Sequence, residues 1–327
     1  MGKYFLRRIF YAIPAIIVIS FVSFLLIQLP PGTFADTIAA QMMESGGVTP
    51  EAIKAIEERY GLNQPVFVQY WKWISGILLR GDFGQSFIWG RPVGTIIWDR
   101  LGYTLLLTGF AFLFVCILSI PIGIYSAVKQ YSVGDYIATS IGFLGLAIPG
   151  FLFALILMFT GFRFFDQTVG GFFSPEFTHA PMSWAKFADL LSHLWMPMIA
   201  VGMAGAASLI RIIRANLLDE LLKPYVVTAR AKGLSEFRLL IKYPVRLALI
   251  PFVATLGWML PQLISGATIV SVVMSLPTTG PLLLRALLGQ DMYLASSFIM
   301  LLSVLTVIGT LISDVLLAIV DPRIRFQ

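Results

Sequence analysis

Charge is what this sequence has least of. Asp, Glu, Lys and Arg make up 12% of its 327 residues, against about a quarter in an ordinary soluble domain. Apolar residues make up 58%. A soluble chain of this length has room for a core, but not for one that hides so much apolar surface. Cysteine is nearly absent. Cys116 stands alone, which excludes an intramolecular disulfide and a thiolate metal cluster. Lying in an apolar run, it reads as a small buried hydrophobe. Histidine occurs only as His179 and His193, fourteen residues apart with no cysteine partner. Polar loop residues are the simpler reading of both than metal ligands. No G-x-x-x-x-G-K-[ST] loop is present, so this chain does not bind ATP in the P-loop manner. Neither a G-x-S-x-G elbow nor an H-E-x-x-H helix occurs.

What is present is a series of apolar windows of eighteen residues or more, the length that crosses a membrane. In lipid such segments must be helical, because exposed backbone groups would otherwise lack partners. The pattern predicts an all-α membrane protein with six spans, at about 9–29, 101–128, 136–162, 194–213, 247–274 and 294–320. The amino end, "MGKYFLRRIFYAIPAIIVISFVSFLLIQLP", has the basic start of a signal peptide. Its apolar run is longer than the roughly 7–15 residues of a signal core, so an uncleaved first span is expected. An even span number puts both termini on one side. That side holds Lys3, Arg7, Arg8, Lys129, eight basic residues from Arg211 to Arg246, Arg323 and Arg325. The two short loops opposite hold Arg163, Lys186 and Arg285. Basic residues accumulate beside cytoplasmic span ends, so both termini are expected in the cytoplasm. The net charge of +6 thus has a membrane explanation, and nothing points to nucleic acid.

Two regions result. Residues 1–100 hold the first transmembrane helix and a long external loop with amphipathic helices. Residues 101–327 hold five transmembrane helices and a cytoplasmic basic segment at 214–246. In the loop, "TPEAIKAIEERYG" reads as a helix capped by Thr49, with Pro50 at its first position, Glu51 in its first turn and Gly61 as its stop. Further on, Phe67, Tyr70, Trp71, Ile74, Ile77 and Leu78 form one apolar stripe. A helix lying on the outer leaflet or packed on the spans is expected there. Pro121, Gly123, Pro149, Gly150, Gly257, Pro261 and Gly266 interrupt the spans, which suits bending and close packing. Asp314 is the one acid well inside a span, and a helix-packing role fits it better than a proton relay.

The basic segment is "KPYVVTARAKGLSEFRLLIKYPVRLALIP", Lys223 to Pro251. Pro224 suits a first helical position, and Gly233 a terminating position with left-handed backbone. Thr228, Ala229 and Ala231 are small enough to let a partner come close. Arg230 and Lys232 are suited to pair with a partner's carboxylates. Contact with anionic lipid headgroups explains the same composition. A second short helix follows, with Phe237, Leu240 and Ile241 on one face and Arg238 and Lys242 on another.

This segment resembles the cytoplasmic EAA loop of ABC-importer permeases, in the form of the dipeptide/oligopeptide/nickel group. The amino end, "RYGLNQPVFVQYWKWISGILLRGDFGQSF", "PTTGPLLLRAL" and "DPRIR" are similar to that group as well. Val227 and Thr228 stand where the general motif has Glu and Ala, and Tyr243-Pro-Val-Arg246 where it has Ile-x-Leu-Pro. The resemblance implies a type I importer permease fold in a bacterial inner membrane. It implies a second homologous permease subunit, two ATPase subunits that carry ATP and Mg, and an external or periplasmic solute-binding protein. The chain itself would be no enzyme and hold no cofactor or metal. Tyr225, Val226, Val227, Thr228, Ala229, Arg230, Ala231, Lys232 and Gly233 would form the ATPase-coupling helix. Peptides are the implied cargo. The long external segment "FFSPEFTHAPMSWAKFADLLSHLWMP" resembles members that carry oligosaccharides or other small solutes, the alternative cargo. A channel and a structural membrane anchor are the readings from other classes.

Overall fold

The computed structural model describes residues 2–28, 58, 64–86, 88–165, 167 and 170–320. The helix expected at 49–61 lies outside these, apart from Glu58. The described residues form helices α1 (Gly2–Gln28), α2 (Val66–Arg80), α3 (Val93–Val128), α4 (Val133–Ala147), α5 (Gly150–Phe165) and α6 (Trp184–Leu221). Then come α7 (Pro224–Ala231), α8 (Glu236–Lys242), α9 (Pro244–Val273), α10 (Thr279–Leu288) and α11 (Met292–Val320). Segments Val93–Val128, Trp184–Leu221, Glu236–Gly257 and Met292–Ile312 are long and apolar enough to cross a membrane, and α4 with α5 makes a fifth if the pair is one span. Hydropathy predicts six. The described apolar stretch of α1, Phe10–Leu25, is shorter than the four.

Residues Thr104–Pro277, with the two chain ends, form one compact unit, and Leu6–Tyr103 with Thr278–Leu305 form another. The first unit is built around α6, which neighbouring helices approach closely at glycines. A side chain at Gly123 would meet Ile213 at 2.8 Å, and one at Gly202 would meet Phe114 at 2.8 Å. The region expected as a straight span at 136–162 is broken. Ile148 leaves the helix (φ −85°, ψ 123°) because the ring of Pro149 disfavours helical backbone in the residue before it. The chain turns by 112° into α5. Gly150 lies against the Ala200 carbonyl and Gly161 against Met196. Those eleven residues cover about 16 Å of α5 but only about 6 Å of α6, so α5 crosses α6 instead of running along it.

In the second unit Phe24 of α1 takes the aromatic side chains of α2. Its ring stacks on Trp73 at 5.4 Å and meets Tyr70 at 5.7 Å, while Ser20 and Tyr70 share a hydroxyl bond of 2.9 Å. This splits the expected stripe. Tyr70 is buried with Trp73, and Ile74 and Ile77 pack beside them. Phe67, Trp71 and Leu78 stay 66%, 63% and 76% exposed. The buried face is thus turned about one residue from the predicted one. Ser86 Oγ and the Ile88 N–H donate to the fully buried Asp291 carboxylate, which also accepts from the Leu294 N–H at the start of α11.

Candidate functional site in the basic hairpin

The basic segment folds as a two-helix hairpin inside the first unit. Helix α7 opens at Pro224, where the missing N–H has no helical partner to lose. Lys223, just before it, is extended (φ −72°, ψ 145°). The helix closes with the Lys232 N–H on the Thr228 carbonyl and the Gly233 N–H on the Arg230 carbonyl. Gly233 then takes φ +77°, and no atom lies within 4 Å of where its Cβ would sit. What glycine supplies here is backbone freedom, with no close neighbour demanding it. Helix α8 starts after Ser235 and places Glu236 in its first turn.

Val226 and Ala229 of α7 face Leu239 of α8, all three buried, with Tyr225, Leu234 and Tyr243 packed around them. Ala229 is therefore core. Its small size lets α8 approach, whereas sequence alone groups it with the outward surface. Val227, Thr228 and Ala231 do face outward, and the Thr228 hydroxyl returns to the Pro224 carbonyl at 3.0 Å. Arg230 donates to both Glu236 oxygens, at 2.6 and 3.2 Å. The carboxylate it pairs with thus belongs to this chain. The pair is more than half exposed on both sides and contributes little to stability. Lys232 is exposed. The Tyr225 hydroxyl donates to Glu220. Burial first, and that carboxylate second, push its pKa well above the usual phenol range, so it remains a donor.

Hydropathy and motif reading miss the strut beneath the hairpin. Arg214 of α6 grips Asp135 of α4 with two bonds of 2.9 Å. Asp135 is 3% exposed, and its carboxylate also accepts from the Tyr131 N–H at 2.9 Å and the Thr139 hydroxyl at 3.4 Å. The Asp135 N–H donates to Ser132 Oγ, which caps the helix N-terminus. The one local signal in sequence is the Ser132-x-x-Asp135 spacing. His193 also differs from expectation. It is a buried residue of α6, with Nδ1 2.8 Å from the Asp189 carbonyl oxygen, and Asp189 in turn holds the Ser174 N–H and hydroxyl. Cys116 is half-buried in α3. Among the described residues no three His, Cys, Asp or Glu side chains converge to hold a metal ion.

This geometry suits transmission of force. Two residues, Leu222 and Lys223, join α6 to α7, and Tyr243 alone joins α8 to α9. Residues 119–326 match the family described as binding-protein-dependent transport system inner membrane component. Residues 1–108 match its companion family, the N-terminal part of such membrane components. The chain is 36% identical over 327 residues to the oligopeptide transport system permease protein AppB of Bacillus subtilis, covering 100% of both. It is 31% identical over 350 residues to the dipeptide transport system permease protein DppB of Alkalihalophilus pseudofirmus, again covering 100% of both. It is 31% identical over 366 residues to the peptidoglycan transport system permease protein YejB of Agrobacterium fabrum, covering 100% of this chain and 99% of the relative. Full-length matches of this kind leave one assignment: the chain belongs to the binding-protein-dependent transport system inner membrane components, the permease family of ABC importers.

Proposed function

We propose that this chain is one of two permease subunits of a peptide importer, driven by two separate ATPase subunits and fed by an external solute-binding protein. It crosses the bacterial inner membrane six times, with both termini in the cytoplasm, and α7 from Tyr225 to Gly233 is its coupling helix. The observation that carries this reading is the attachment of the hairpin. With only two linking residues on one side and one on the other, displacement of α7 by an ATPase is delivered to α6 and α9 with little slack. A long flexible loop would absorb it. The names of the relatives supply the cargo: oligopeptide, dipeptide and peptidoglycan transport. Oligosaccharides are the second reading, favoured by the external ledge where Trp184 is 87% exposed beside Phe187, since an open indole face suits a sugar ring.

The test is reconstitution of the chain with its partner permease, the ATPase subunits and the binding protein in proteoliposomes. Labelled peptide should accumulate only when ATP and binding protein are both supplied. Accumulation of an oligosaccharide in place of peptide selects the second cargo. Flux without ATP would mean a channel, and unchanged uptake when this chain is omitted would reduce it to an anchor.

A further inference from the structure

The hairpin has two outward faces, and the coupling role concerns only one. Val226 and Ala229 of α7 and Leu239 of α8 point into the shared core. Phe237 and Ile241 lie two residues before and after Leu239. At about 100° per residue both fall on the side of α8 opposite it, and they are 75% and 48% exposed. Arg238 and Lys242, both exposed, follow them by one residue each and lie along one edge of this apolar pair. The outward face of α7, with Val227, Thr228 and Ala231, looks the other way.

We infer that the Phe237–Ile241 face of α8 is a lipid-contacting face, seated in the headgroup region of the cytoplasmic leaflet and held there by anionic lipid phosphates. A single exposed phenylalanine needs no explanation. Here an apolar pair at i and i+4 is bordered by two cations, the pattern of a helix lying in a membrane interface. Charge complementarity supports the same partner, since the cytoplasmic leaflet carries the anionic lipids. So does continuity: Tyr243 is the only residue between α8 and α9, and α9 is the apolar helix Pro244–Val273. Two side chains would bind a bilayer weakly by themselves, but α9 tethers them to it, so no independent affinity is required. Each face of the hairpin then has its own partner, an ATPase on α7 and lipid on α8. The α7 half of that statement rests on the coupling role proposed above, and the α8 half on the cytoplasmic placement proposed with it.

The experiment places an environment-sensitive fluorophore at Ile241→Cys, or at Phe237→Cys on the same face, and separately at Ala231→Cys, each in a Cys116→Ser background. The full-length chain is reconstituted in phosphatidylcholine vesicles with and without phosphatidylglycerol and with doxyl-labelled lipid. The probe at 241 is expected to emit at shorter wavelength than the one at 231 and to lose intensity on adding doxyl lipid. The loss should deepen with phosphatidylglycerol, and Arg238→Gln with Lys242→Gln should abolish that dependence. A water-like, unquenched probe at both 237 and 241 overturns the lipid face. So does a crosslink from 241, in place of 231, to the ATPase in the assembled importer. Quenching at 241 with no ATPase crosslink at 231 leaves the lipid face standing and removes the coupling role of α7.

Discussion

Replacing Gly233 by valine probes the hairpin at one backbone angle. Gly233 holds φ +77° with open space around its missing Cβ, so crowding contributes nothing and the effect is conformational. A left-handed backbone costs an ordinary L-residue about 1–2 kcal/mol, and a β-branched residue is a sharper outlier there. At roughly 1.4 kcal/mol per decade, a penalty near 2 kcal/mol shifts a two-state hairpin about thirtyfold toward alternatives. The core that resists is small: its buried residues are Val226, Ala229 and Leu239. The membrane helices are untouched, so insertion should be normal while uptake and ATPase co-purification fall. Gly233→Asn should be far milder, because Asn visits the left-handed region with little penalty, and Gly233→Ala should lie between. The assay is ATP-dependent uptake at matched membrane levels, with co-purified ATPase as the second readout. Wild-type transport by Gly233→Val would refute the claim that α7 must end sharply to couple, and equal defects in Asn and Val would refute its conformational origin.

Single cysteines at Ser235 and Ser45 (the latter outside the described residues), in a Cys116→Ser background, test the topology: an impermeant thiol reagent should label 45 and spare 235 in intact cells, and labelling at 235 reverses the assignment. Asp135→Asn should lower the thermal stability of the purified chain by an amount near or below the roughly 3 kcal/mol lower bound for breaking a buried pair, because Arg214 retains 26% side-chain exposure. Asp135→Leu with Arg214→Met should recover part of that loss, and a double variant worse than Asp135→Asn would argue against the strut. Purified without partners, the chain should hydrolyse ATP no faster than a vesicle blank, and robust turnover by it alone would contradict separate ATPase subunits.

Hydropathy locates the long helices because a membrane crossing is a property of composition over about twenty residues. It does not yield the 112° turn at Ile148–Pro149. Proline next to glycine announces a break, but the direction of α5 depends on which helix it finds, and its contacts there, Met196 and Ala200, lie beyond the whole intervening loop. Gly233 is legible because the positive φ is a demand on one residue type. Ala229 is not legible as core. Its partner Leu239 is on another helix, and a small side chain next to arginine reads equally well as an approach surface. Asp135 is missed because a carboxylate at a span end looks like loop polarity, and its arginine is 79 positions away. His193 reads as a loop residue because α6 begins at Trp184, about ten residues before its apolar stretch.

The charges of the basic segment are less uniform in space than in sequence. Arg214 is engaged by Asp135, and Arg230 by Glu236. Lys223, Lys232, Arg238, Lys242 and Arg246 make no ion pair among the described residues, although Lys242 lies 5.4 Å from the Tyr243 ring centre. The two engaged arginines therefore act as parts of the scaffold: one ties α4 to α6 beneath the hairpin, and the other bridges α7 to α8 across the Gly233 turn. Exposed pairs of the second kind hold geometry loosely, so the hairpin's stiffness must come from its apolar core, the turn at Gly233 and the one- and two-residue links. A hairpin fixed by backbone and packing leaves its remaining cations available for whatever carries negative charge on either side of it. That is why loss of Arg230 should be a mild lesion and distortion at Gly233 a severe one, even though arginine is the more conspicuous residue in the motif.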